Sequence, residues 1–147
     1  MRPAITRLLD THCHLDAYPD PRALLAQADE ASVDVVVVTE IPEGYRRLRC
    51  RLGRIAGVVV ALGLHPASSA AGAPWQLERL IRMLPTADWI GEVGQDFKPG
   101  IARRERARDG RVLESILAHE QARSKPVTVH SGGAARDTSK LLTEAPC

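Results

Sequence analysis

The first residues able to do chemistry together are Asp10, His12 and His14, spaced two apart near the start of the chain. In an extended strand, side chains two apart share a face, so the segment Asp10-Thr11-His12-Cys13-His14 projects one carboxylate and two imidazoles from the same side. Two neutral imidazoles suit a divalent ion such as zinc or manganese, and a carboxylate beside them can fix the tautomer of a ligating ring. Asp10 is given that supporting role. A His-x-His pair also arises by chance on polar surfaces, so its meaning depends on what stands elsewhere. His65, Glu92 and His130 each fall at the end of a later expected strand. Where parallel strands close into a barrel, those ends converge on one opening. There Glu92 can bridge two ions through its two oxygens and His130 can complete the ligands of the second, a site that activates water. Two ions suit a phosphodiester displacement and one suits amide or ester hydrolysis, and spacing alone does not choose between them.

The elements that would position these residues alternate along the chain. Short apolar, β-branched runs at residues 7–11, 34–39, 57–64, 89–92 and 127–130 read as strands, and Val35, Val36, Val37 and Val38 are apolar on both faces as a buried parallel strand requires. Residues 21–31, 42–53, 74–84, 101–124 and 134–144 read as helices. Leu77, Leu80, Ile81 and Leu84 carry the helical spacing in the third of these, and Val112, Leu113, Ile116 and Leu117 in the fourth. Five consecutive βα units predict one α/β domain over residues 1–147, either an open doubly wound sheet or part of a (β/α)8 barrel of TIM type. A dinucleotide-binding sheet would show Gly-x-Gly-x-x-Gly after its first strand. That turn here holds His12, Cys13, His14 and Asp16, which favours the barrel, incomplete at about five units.

Bulk properties narrow the class. With 20 Lys and Arg against 18 Asp and Glu, the formal charge of +2 gives no general attraction to nucleic acid, so any phosphate recognition must be local. The strongest apolar runs, residues 35–38 and 58–64, are far shorter than the ~20 residues that span a bilayer, and the N-terminus shows no apolar signal core. Cys13, Cys50 and Cys147 are too few and too scattered for a disulfide framework. They read as thiols of a cytoplasmic protein, with Cys13 buried and facing away from its flanking histidines. Arg103, Arg104, Arg106, Arg108 and Arg111, interrupted by Glu105 and Asp109, read as a solvated helix face, and His119 on the same helix receives no catalytic role.

Together the stretches Asp10-Thr11-His12-Cys13-His14-Leu15-Asp16, Gly63-Leu64-His65-Pro66, Gly91-Glu92-Val93-Gly94-Gln95-Asp96-Phe97 and Pro126-Val127-Thr128-Val129-His130-Ser131 resemble, in order and spacing, the TatD family of metal-dependent DNases. Thr39 before Ile41-Pro42 and the compact ending at His65-Pro66 also look like the TatD-like members of Qat anti-phage systems. The resemblance implies a (β/α)8 barrel and hydrolysis of phosphodiesters in nucleic acid, DNA ahead of RNA, with two divalent ions drawn from Mg2+, Mn2+ or Zn2+. It implies His12 and His14 as ligands of one ion, Glu92 as a shared ligand and His130 as a ligand of the other. Glu92 and His65 become the catalytic residues, His65 on the substrate side, with Asp10, Asp16 and Asp96 behind the ligands.

Two departures stand out. Gln95 replaces a usual Leu, and Gly132 replaces an Arg that commonly follows the His-Ser pair and would grip phosphate bidentately. A family barrel would also continue well past residue 147, towards the ~250 residues typical of the fold, and supply further His and Asp ligands. The expectation is therefore a truncated or split form, weakly active alone, with a partner chain completing the barrel. Two other classes compete: a non-catalytic remnant that binds a partner protein, and an amidohydrolase acting on a cyclic amide or lactone. Glutamate rather than lysine at the fourth strand end speaks against the members of that last group that use a carbamylated lysine.

Overall fold

The computed structural model describes residues 7–68 and 72–145. The N-terminal stretch read for a signal core and Cys147 lie outside them. In chain order the elements are β1 (Leu8–Cys13), α1 (Pro21–Glu30), β2 (Val33–Val37), α2 (Pro42–Leu52), β3 (Val58–Val60), β4 (Leu62–Leu64), α3 (Pro74–Met83), β5 (Ile90–Asp96), α4 (Arg103–Ala118), β6 (Val127–Gly132) and α5 (Ala135–Glu144). Proline occupies the first turn of α1, α2 and α3, where its missing N–H costs nothing. Asp20 caps α1 by accepting from the Arg22 and Ala23 amides, both at 3.1 Å. No helix of the described residues is long and apolar enough to cross a membrane.

All strand pairings are parallel, in two three-stranded ladders, β1-β2-β3 and β4-β5-β6. The third expected strand is thus two short ones divided at Ala61. The division marks an exchange of partners: the Ala61 amide still donates to Val37 O at 2.8 Å, while the Leu62 amide donates to Trp89 O at 2.9 Å. Val35 and Val37 pack with Leu25, Leu48 and Leu52 of α1 and α2. Val36 and Val38, on the opposite face by strand alternation, meet Ala61 and Trp89. On that face Trp89 donates to Thr128 Oγ1 at 2.8 Å. A larger apolar cluster joins Tyr45, Leu80, Leu84, Leu113 and Ile116 to Leu62, Leu64 and Ile90 of the second ladder.

Other differences from the expected elements have local causes. Strand β5 runs on to Asp96 because Gly94 allows the backbones to close; a Cβ there would lie 2.0 Å from His130 O. Helix α4 stops at Ala118, where the His119 ring accepts the Gln121 amide at 3.2 Å and starts a 3-10 turn. The arginine-rich stretch of α4 is not wholly solvated, since Asp109 is buried and Arg108 turns inward to meet it at 2.6 Å. Burial pushes the Asp109 carboxyl up, an effect that Arg108 partly offsets. Gln95 is buried and accepts from Thr138 Oγ1 at 3.0 Å, so the polar residue at this position ties α5 to β5.

Thr39 joins the two ladders. Its hydroxyl donates to Ala61 O at 2.8 Å and accepts from the Gly63 amide at 3.0 Å. Its own amide donates to Gly91 O at 3.2 Å, and its carbonyl accepts from the Glu92 amide at 3.1 Å. The approach is so close that a Cβ on Gly63 would fall 1.6 Å from Thr39 O. Thr39→Val, which keeps the shape and removes the hydroxyl, leaves a buried amide and a carbonyl without that partner. It should destabilise the fold by about 1–3 kcal/mol, measured as a lower urea midpoint, while Thr39→Ser stays near the parent.

Candidate metal centre

Glu92 lies in β5 with its side chain only 4% exposed, and the two ladders bring four histidines to it. Its Oε2 faces His12 Nε2 at 3.3 Å and His14 Nε2 at 3.2 Å. Its Oε1 faces His130 Nδ1 at 2.8 Å and His65 Nε2 at 3.5 Å. One carboxylate therefore divides its oxygens between two imidazole pairs, one from the β1 end and one from the β4 and β6 ends.

The first group has the spacing of a coordination sphere. The His12 and His14 Nε2 atoms are 3.2 Å apart, which with Glu92 Oε2 makes a triangle of nearly equal sides. Donors bound tetrahedrally at about 2.0–2.1 Å from one ion lie about 3.3 Å from one another. Glu92 Oε2 is also buried with no hydrogen-bond partner among the described residues, a costly state for a carboxylate oxygen unless a cation meets it. The donors thus fit a divalent ion. His65, Glu92 and His130 make the second group with ligand atoms near enough to share an ion. Within it Oε1 and His130 Nδ1 are at hydrogen-bond distance.

The rings differ in what they can offer. His65 Nδ1 accepts the Ala67 amide at 3.0 Å, so its neutral form carries the proton on Nε2. That nitrogen, aimed at Glu92, is a donor rather than a lone pair. The His65 amide in turn donates to Glu40 O at 2.8 Å, beside Thr39. The second nitrogen of His130 lies 3.3 Å from Asp96 Oδ2. Asp96 is buried and also meets Lys98 twice, through its amide at 3.0 Å and its ammonium at 3.3 Å.

Burial opposes ionisation of Glu92. Hydrogen bonding and charge attraction from His65, a hydrogen bond from His130 and the charge of His12 outweigh it, holding the carboxyl at about 2 against the usual 4.5. Asp96 is opposed by burial likewise and is held below its usual range by Lys98 and His130.

His12, His14, His65, Glu92 and His130 are thus brought together, with Asp96 against His130. Asp10 is a correction: its carboxylate accepts the His12 amide at 2.9 Å and orients the backbone, not an imidazole ring. Asp16 lies exposed in the 3-10 turn Leu15–Ala17, without a hydrogen bond or ion pair to these histidines. Cys13 faces away from them into the cluster around Leu15 and Val35, but is half-buried rather than fully buried. Desolvation, then the charges of Asp10 and Asp16, raise its thiol. Sequence reasoning passed over Lys98, whose signal was its place two residues beyond Asp96, and Thr39, which nothing but its position at the end of a valine run marked.

Four imidazoles around one buried carboxylate, at the C-terminal ends of parallel strands in an α/β fold, form the donor set of a divalent-metal centre. The model of the TatD related DNase family matches residues 9–146, and the chain belongs to that family. It is 33% identical to the human deoxyribonuclease TATDN3 over 98% of its own length and 59% of that protein's. It is 31% identical to YjjV of Escherichia coli K12, described as an uncharacterised metal-dependent hydrolase, over 86% of this chain and 51% of that one. The chain therefore spans about half the length of these curated relatives. The crystal structure of YjjV superposes with a TM-score of 0.71 at 24% identity, covering 97% of this chain and 57% of that one. A TatD family hydrolase from Entamoeba histolytica gives 0.74 at 16% identity, covering 95% and 55%.

The depressed Glu92 carboxyl carries a sign. A group whose folded value lies below its unfolded one stabilises the fold in full above about pH 4.5 and loses that contribution as pH falls towards about 2. Without added metal, Glu92→Gln should cost ~1–3 kcal/mol near neutral pH. The gap to the parent should narrow steadily in urea titrations between about pH 6 and about pH 3.

Proposed function

We propose that this chain supplies the metal-binding part of a divalent-metal phosphodiesterase acting on nucleic acid, DNA ahead of RNA. The observation that carries the reading is the division of the Glu92 oxygens between His12 with His14 and His65 with His130. A carboxylate so placed suits two ions, Mg2+, Mn2+ or Zn2+, one held by His12, His14 and Glu92, the other by Glu92 and His130. When bound, such ions lower the pKa of water and stabilise the attacking and leaving oxygens of an in-line displacement.

The remaining steps belong to the chain's own side chains. Glu92, ionised at working pH, keeps the two groups at a fixed separation. His65 is a hydrogen-bond donor at Nε2 and suits a non-bridging phosphate oxygen rather than an ion. Asp96 orients His130 through its second ring nitrogen. Lys98, anchored on Asp96 but with its side chain 63% exposed, provides a cation near His130. Gly132 has no side chain to offer there, and a Cβ on it would crowd His130 Nε2 at 2.8 Å and Asp96 Oδ1 at 2.9 Å.

The full architecture in this reading is the (β/α)8 barrel of the family. Among the described residues β1 pairs only with β2 and β6 only with β5, and Leu8 and Leu9 are exposed on β1. These edges suit further strands, from the same polypeptide or a partner chain, that would carry the remaining ligands. The free thiols of Cys13 and Cys50 fit a reducing cytoplasm.

Calorimetric titration with Mn2+ or Zn2+ should show binding that His12→Ala weakens by about tenfold or more. Binding unaffected by both His12→Ala and Glu92→Gln would mean that this is not the metal site and would favour a non-catalytic remnant. With a labelled duplex and a cyclic amide assayed in parallel, metal-dependent cleavage is expected on the duplex alone; turnover of the amide with the duplex spared would replace the phosphodiesterase by an amidohydrolase. Lys98→Ala should raise KM for DNA about three- to tenfold with little change in kcat, as expected for a phosphate contact equally strong in ground and transition states.

A further inference from the structure

Helix α2 and the residue pair that follows it carry five arginines, Arg46, Arg47, Arg49, Arg51 and Arg54, within nine positions. The formal charge of the entire chain is +2, so this one surface holds more positive charge than the molecule as a whole. Arg49 has a structural task, since its Nη1 donates to Tyr45 Oη at 2.7 Å and to Thr86 O at 2.6 Å. The other four are exposed. Among the described residues none of these four has a carboxylate within 4.0 Å of its guanidinium. Glu43, the only acid in α2, is already paired with Arg79.

Fold stability gives little reason for this arrangement. Cations near a helix C-terminus interact well with the macrodipole, which accounts for Arg51. Arg46 and Arg47 lie earlier in the helix, and like charges at i and i+4, as in Arg47 and Arg51, disfavour it. A row of unpaired guanidiniums that the helix does not need suits a polyanion. Arg47 and Arg51 stand about 6 Å apart along the axis, close to two phosphate intervals, about 7 Å, of one nucleic-acid strand. The planar guanidinium also matches a phosphate bidentately. Connectivity adds a direction: α2 follows β2 and so begins at the strand ends that carry the metal donors, then runs down the outside of the sheet.

We infer that the exposed arginine face of α2 is a second, non-catalytic binding surface for a nucleic-acid phosphate backbone, continuous with the metal end of the sheet but separate from it. The choice of nucleic acid as the polyanion rests on the proposed phosphodiesterase reading; the surface itself does not depend on metal chemistry.

The test uses the full chain in EDTA, where hydrolysis plays no part and failure of the phosphodiesterase reading leaves the measurement intact. Affinity for a fluorescent duplex is followed against salt. Replacing Arg46, Arg47, Arg51 and Arg54 together by Ala should weaken binding at least tenfold at about 50 mM salt and make the slope of log K against log salt shallower by about 3. Four Arg→Lys replacements should keep most of the slope. Circular dichroism melting checks the fold, and should the alanine set unfold, four Arg→Gln replacements serve in its place with the same expectation. An unchanged affinity and slope in the neutralised variant would overturn the inference. So would binding of a polyglutamate peptide as tightly as the duplex, which would make the surface a dock for acidic protein.

Discussion

Thr39 stands where the chain leaves β2, and one threonine there supplies what a continuous sheet would otherwise have provided. Its hydroxyl and both of its main-chain groups bond to Ala61, Gly63, Gly91 and Glu92, so that two separate ladders meet as one surface. The next residue, Glu40, receives the His65 amide. Two of the groups assigned to chemistry therefore hang from consecutive positions of one turn. This is how an irregular junction positions a site more tightly than a regular strand end: every polar backbone group near it is accounted for, which leaves the side chains little freedom to drift.

The electrostatics follow from that placement. A carboxylate taken out of water costs several kcal/mol unless it is compensated, and here the compensation is distributed over four rings rather than one strong ion pair. Neutral or charged, an imidazole is a modest partner, so the cluster accepts a cation without first breaking a guanidinium bridge. Asp96 shows the contrasting arrangement one layer away, with a lysine ammonium and a backbone amide fixed on it. The two acids, four residues apart on the same strand, are consequently suited to different tasks.

Much of this was legible in the sequence because period and residue type agreed. The valine run, the prolines that open three helices and the residues closing each strand all carried local signals, and His12, His14, His65, Glu92 and His130 do meet. What could not be read depends on long-range geometry. The exchange of partners at Ala61 is set by strand lengths on either side, and the burial of Asp109 by where the loop after His65 passes over α4, its Pro66 carbonyl taking an Arg108 bond at 3.2 Å. Asp10 was misread for a related reason: strand alternation places its side chain on the correct face, but the irregular register between Asp10 and Cys13 brings the carboxylate back to its own backbone.

The division of the sheet at Ala61 has one more consequence. His12 and His14 belong to the first ladder, whereas His65, Glu92 and His130 belong to the second, and only the short seam at Thr39 and Ala61 joins the backbones between them. A ligand shared by these donors would act as a staple across a hinge line. By mass action it would stabilise only the closed arrangement, so the two halves would exchange their amide protons as separate units when empty and as a single cooperative unit when filled.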